Sequence, residues 1–190
     1  DIHTETASQL FGVPFDAVKP EQRQLGKRIN FSIMYGVSPY GLSKDLDIKP
    51  NEAKEYIEKY FAQYPQVAAW MEKTVQQAAI DGYVSTWMGR RRYIAEIKEK
   101  NKMIFEAGRR IAINTPVQGT QAEVMKMAMI NIDRILMAKK IASRMILQIH
   151  DEIILEVPES EINAIESLVR AKMETVVDWS VPLTVTIRTG

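Results

Sequence analysis

Within EQRQLGKRINFSIMYG, the residues Arg23, Lys27, Phe31 and Tyr35 fall at every fourth position. At 3.6 residues per turn each step drifts by about 40°, so a helix here carries all four on one slowly winding face. That face runs from two fixed cations to two aromatic rings, which is the order of phosphates and then base in a nucleoside triphosphate. Arg23 can grip phosphate oxygens as a planar fork, and Lys27 can act as a point charge. Phe31 offers a π-face on which any of the four bases can stack. The same spacing also suits an amphipathic helix whose rings pack inward and whose cations are solvated, so spacing alone leaves both readings open.

A second set of four-residue steps, Arg110, Asn114 and Gln118, lies in RRIAINTPVQGT. Amide side chains carry both donor and acceptor. In the minor groove every correct base pair presents purine N3 or pyrimidine O2 acceptors in nearly the same places. Donors aimed there test pair geometry without choosing a sequence; amides closing a helix end would have the same spacing. Arg90, Arg91 and Arg92 at a turn suit a phosphate backbone, or a solvated corner. The third constellation is His150-Asp151-Glu152, set between the apolar runs RMILQI and EIILEV. A carboxylate at such a corner is held rigidly at a sheet edge. Mg²⁺ favours one or two carboxylates supplemented by substrate phosphates. Asp at a turn also serves the backbone alone.

The elements that must position these residues read as α+β. Residues 20–35 have helical period and start at Pro20, a favoured first-turn residue. A second helix follows Pro50, with Asn51 as its cap, and a third runs from Pro65 to Gly82. YVSTWMGRRRYI alternates on both sides of Gly89 and predicts a short hairpin over 83–94. Residues 101–138 are helical with an interruption near Pro116 and Gly119. The runs flanking His150-Asp151 predict a second hairpin. A helix over 159–177 and a strand at PLTVTI then complete a sheet of about three strands.

Composition bounds the rest. The chain has 190 residues, 46% hydrophobic and 26% charged, with net charge +1 and no cysteine. This is globular composition without disulfides or thiolate metal sites. No apolar run is long enough to span a membrane, and the polar opening DIHTET is not a secretory signal. Residues 101–150 hold eight basic and three acidic side chains, a balance of +5; residues 151–190 hold three and eight, a balance of −5. A basic stretch beside an acidic one suits a polyanion site next to a metal site.

Taken in full, R-x3-K-x2-NF-x3-YG resembles the fingers-helix signature of the DNA polymerase I family, family A of the DNA-directed DNA polymerases. R-x3-N-x3-Q is similar to its primer-template segment, and QIHDEIILEVP to its second catalytic motif. The resemblance extends through DIHTETA at the start and covers essentially the whole chain in the family's order. It implies that His3, Arg23, Lys27, Phe31 and Tyr35 bind the incoming deoxynucleoside triphosphate, with Tyr35 at the template slot. It implies that Asp151 is a Mg²⁺ ligand with Glu152 close to the metals, and that Lys27 joins them in the chemistry. His150, Arg90, Arg91, Arg92, Arg110, Asn114 and Gln118 would contact primer-template DNA. Residues 1–100 would be fingers and 101–190 the C-terminal part of the palm. Phe31, lacking a hydroxyl, implies rejection of dideoxynucleotides. Ser32 and Ala95-Glu96 depart from the family's commoner Gly and Pro-Asp.

The implied reaction is two-metal transfer of a nucleotide to a primer 3′-hydroxyl in a bacterial cytoplasm, a phage or organelle origin remaining open. A non-catalytic nucleic-acid-binding module is the competing class, and a nuclease would want more carboxylates than Asp151 and Glu152. The family's other catalytic aspartate belongs to a motif upstream of DIHT. These 190 residues are therefore expected to need the remaining N-terminal part of the polymerase for activity.

Overall fold

The computed structural model describes residues 1–190, which divide into two compact units, Asp1–Val117 and Gln118–Gly190. The chain is mostly helical with two small antiparallel sheets, as the α+β reading expected.

In the first unit, α1 (Ile2–Phe11) is followed by α2 (Pro20–Met34), α3 (Pro39–Leu46), α4 (Pro50–Gln63) and α5 (Pro65–Asp81). The last four each begin with proline, whose fixed φ and missing N–H suit the first turn. Proline thereby makes Lys49, not Asn51, the residue before α4, and Asn51 lies inside the helix. Asp1 caps α1 by accepting from the His3 amide, and Gly82 closes α5 at φ 80°. Ile29, Ile33, Leu42, Ala53 and Tyr60 bury the faces of α2, α3 and α4 against one another.

A hairpin of β1 (Tyr83–Ser85) and β2 (Arg91–Tyr93) pairs Val84 with Arg92, within the span expected for it. It packs with α5 and the start of α6 (Lys102–Ala138) through Val75, Ala78, Val84, Ile94 and Ile113. The interruption expected near Pro116 and Gly119 is absent, for α6 is continuous through both. Pro116 withholds a single N–H from the ladder. Ala112 and Ile113 before it are buried, and the run after it is rich in helix formers such as Gln121, Ala122, Met125 and Lys126.

In the second unit, β3 (Arg144–Ile149) and β4 (Glu152–Glu156) form the expected hairpin, with Ile149 opposite Glu152 across His150-Asp151. A bulge between Met145 and Leu147 changes which residues share a face. Ile153, Leu155 and Val157 turn toward a core of Ile132 and Leu136 on α6 with Ile165 and Val169 on α7 (Ile162–Glu174). PLTVTI is not a strand, and the sheet has two strands rather than three. Its alternation survives, with Leu183, Val185 and Ile187 half-buried between exposed residues. The backbone of Val185 is bound instead by side chains of α7: Arg170 donates to its carbonyl at 2.8 Å, and its amide donates to Glu174 at 3.0 Å.

Candidate nucleotide and nucleic-acid site

The first unit brings five of the singled-out residues together along α1 and α2. Lys27 Nζ lies 5.9 Å from the centre of the Phe31 ring, at the edge of cation–π range. The Phe31 and Tyr35 rings stack at 6.1 Å and 22°. His3, on α1, brings its ring to 5.7 Å from Phe31. Phe31 and Tyr35 are 41% and 45% exposed, so the rings do not pack inward and the amphipathic-helix alternative does not hold for them. At the N-terminal end Arg23 Nε pairs with Asp1 Oδ2 at 2.5 Å. Both side chains are well exposed, and such a pair contributes roughly 0–1 kcal/mol. An anionic ligand can therefore take Asp1's place on Arg23 at little cost.

The register of α1 on α2 rests on residues that the four-residue pattern did not bring out. A Cβ on Gly26 would stand 2.5 Å from the His3 carbonyl oxygen, so only glycine permits this approach. Asn30 is buried at 1% exposure; its Nδ2 lies 3.0 Å from His3 Nδ1, and its Oδ1 accepts from Thr6 Oγ1 at 2.9 Å. The signal was present in the sequence: Gly26, Ile29, Asn30 and Ile33 repeat at helical spacing on a face that adjoins the cations. Burial, and then the charges of Arg23 and Lys27, hold the His3 pKa below its ordinary value. Ser32, one of the departures, donates to Asp45 at 3.3 Å, and Asp45 also receives Arg28.

Beyond Tyr35 the chain turns at Gly36, φ 74°. Asn114 Nδ2 donates to the Tyr35 carbonyl at 3.5 Å, and the Arg110 stem lies against Gly36. A cavity of about 750 Å³ opens here, lined by Ile33, Gly36, Val37, Phe61, Arg109 and Arg110 among others. The three arginines of the hairpin differ in surroundings. Arg91 stacks on Tyr83 at 4.6 Å, Arg92 donates to Thr115 at 3.3 Å, and Arg90 forms the closing turn with Thr86.

Gln118, His150, Asp151 and Glu152 belong to the second unit. His150 occupies the left-handed region at φ 53°, a conformation glycine takes more readily, and Gln148 Nε2 donates to its carbonyl at 2.7 Å. The corner holds the Asp151 and Glu152 carboxylates exposed. No group of three or more His, Asp or Glu side chains converges to hold a metal. The donor set fits Mg²⁺ only as one or two oxygens, the remainder coming from phosphate, water and other carboxylates. No helix is long and apolar enough to cross a membrane.

The family profile of DNA polymerase family A matches residues 1–190. The chain is 45% identical over 190 residues to the thermostable DNA polymerase I of Thermus aquaticus, covering all of this chain and 23% of that protein. It is 44% identical to DNA polymerase I of Pseudomonas aeruginosa, again over its whole length and 21% of the relative. The chain thus spans less than a quarter of the length of these curated relatives. Among solved structures, the POL domain of Pol1 from M. smegmatis, in complex with DNA primer-template and dNTP, superposes with a TM-score of 0.92. The identity is 42%, over 96% of this chain and 32% of that one.

Proposed function

The chain belongs to DNA polymerase family A, and from that premise we propose that it serves template-directed DNA synthesis, supplying the deoxynucleoside triphosphate site and one metal-binding carboxylate. The observation that carries this reading is the exposed row of Arg23, Lys27, Phe31 and Tyr35 with His3 beside it. Arg23 and Lys27 bind the triphosphate, Phe31 stacks on the base, and Tyr35 closes the row where the template base enters. Support comes from the structural neighbour, whose own complex contains primer-template DNA and dNTP.

Residues 1–100 act as fingers and 101–190 as part of the palm. Arg90, Arg91 and Arg92 meet the DNA backbone, and Arg110, Asn114 and Gln118 follow the primer-template duplex with His150 near the primer terminus. Enzymes of this family are metal-dependent. Asp151 would hold Mg²⁺ with Glu152 close by. When bound, the metal ions lower the barrier by stabilising negative charge on the attacking and leaving oxygens. This chain's own cations, Lys27 above all, neutralise the triphosphate and fix its orientation.

The test is Lys27→Ala in the full-length polymerase. A charge-assisted phosphate contact is worth about 1.5–3 kcal/mol, so nucleotide affinity in the ternary complex should fall about ten- to a hundredfold. Duplex affinity should change little. An equal loss for duplex DNA would make Lys27 a general DNA contact and remove the nucleotide site.

A further inference from the structure

His3 is held from behind by a buried amide whose orientation is determined by its partners. Asn30 Nδ2 faces the Ile2 carbonyl oxygen at 3.4 Å and His3 Nδ1 at 3.0 Å. A backbone carbonyl only accepts, so the amide edge turned toward it is the NH₂ edge, and one N–H points at each neighbour. With the amide that way round, Asn30 Oδ1 faces the Thr6 hydroxyl, whose Oγ1 lies 2.9 Å from it and from the same Ile2 carbonyl. His3 Nδ1 must then accept, which places the single proton of the neutral ring on Nε2, the nitrogen farther from Asn30.

We infer that Asn30, oriented by the Ile2 carbonyl and packed on Thr6, is a positioning residue. It locks His3 as the Nε2–H tautomer, so that the nucleotide site offers a phosphate oxygen a neutral N–H donor beside two cations. The inference rests on the nucleotide-site reading above. A proton on Nδ1 would oppose the Asn30 N–H, donor against donor. The charged groups around the ring act in the same direction: Arg23 and Lys27 on α2 both oppose an imidazolium, and the Asp1 carboxylate is already paired with Arg23. A neutral donor keeps its hydrogen bond without adding a third positive charge to the row. The hydrogen bond is then available throughout the range in which a free histidine changes charge.

The test is ¹⁵N–¹H spectroscopy of the full-length polymerase labelled at histidine, titrated from about pH 5 to 8. Comparison with His3→Gln assigns the His3 signals. The parent should show an unprotonated Nδ1 and a single Nε2–H tautomer. Asn30→Asp puts a carboxylate against Nδ1 and should protonate it, raising the His3 midpoint by about one unit or more. Thr6→Val, nearly isosteric, releases the amide and should give mixed tautomers, which keeps the test alive if Asn30→Asp does not fold. An Nδ1–H form or an even mixture in the parent overturns the inference, as does an unchanged tautomer in both variants. Inorganic triphosphate should then shift the Nε2–H resonance. A fixed tautomer with an unmoved Nε2–H, while triphosphate still binds in a Lys27-dependent way, rules out the donor role alone. No triphosphate binding at all removes the nucleotide-site reading instead.

Discussion

A Cβ on Gly26 would stand 2.5 Å from the carbonyl oxygen of His3 and 3.1 Å from the Cβ of Ala7. This closeness of α1 to α2 sets the His3 ring beside Phe31. Replacing a mid-helix glycine with alanine ordinarily stabilises by about 0.5–1 kcal/mol. Here the obstructing atom is backbone and cannot swing aside, so overpacking at about 1–3 kcal/mol reverses the sign. Gly26→Ala should lower the denaturant midpoint and weaken nucleotide binding together. A variant as stable as the parent would mean that α1 is loosely seated.

Phe31→Tyr should raise incorporation of dideoxynucleotides relative to deoxynucleotides, while leaving the fold unchanged. The ring is 41% exposed, with Tyr35, His3 and Lys27 beside it, so a phenolic oxygen can be carried without burial. Competitive single-nucleotide extension measures the ratio. If parent and variant discriminate equally, the ring does not sense the sugar.

Helix starts were legible at Pro20, Pro50 and Pro65 but not at Pro39, where α3 is only eight residues long, and the His150-Asp151 corner was legible because two apolar runs flank two polar residues. The row on α2 was legible because it is exposed and its spacing is helical. Its supports were harder to read, since Thr6 and Asn30 come from different helices and are linked only by packing. Local rules failed at Pro116, where one missing N–H is outweighed by the buried and strongly helical residues on either side. They failed again at PLTVTI, whose alternation was read correctly although side chains of α7, not a neighbouring strand, hold its backbone.

The second unit should lose stability in acid through Glu161. Its carboxylate accepts from the Ser143 hydroxyl at 2.5 Å, the Ala142 amide at 3.1 Å and the Ser143 amide at 2.9 Å. The Ser143 side-chain bond, followed by the Ala142 amide, holds its pKa below the ordinary 4.5. A depressed carboxylate stabilises the fold above its unfolded pKa, and that contribution fades as pH falls from about 4.5 through the folded value. Glu161→Gln should be less stable than the parent at neutral pH and should show a flatter stability profile on acidification. Parallel profiles for the two proteins would assign the acid sensitivity to another group.

The 190 residues on their own should not extend a primer. Two-metal transfer requires two dications about 3.5–4 Å apart, bridged and flanked by carboxylates. At the β3–β4 corner stand only Asp151 and Glu152, adjacent in sequence, and no third ligand approaches them within this chain. The same hairpin turns Leu147, Ile149 and Ile154 outward at 51%, 43% and 40% exposure, an apolar face on a sheet of only two strands. An uncovered sheet of this kind invites self-association. The relatives are more than four times as long as the matched region, leaving ample chain to supply both a second carboxylate and a covering strand. Primer extension with Mg²⁺ and four deoxynucleotides should therefore be absent for the isolated residues, and size-exclusion chromatography should show concentration-dependent association. Supplying the N-terminal portion of the polymerase, in cis or in trans, should restore extension and suppress the association. Template-dependent extension by the isolated 190 residues would show that Asp151 and Glu152 suffice, and would overturn the division of the metal site proposed here.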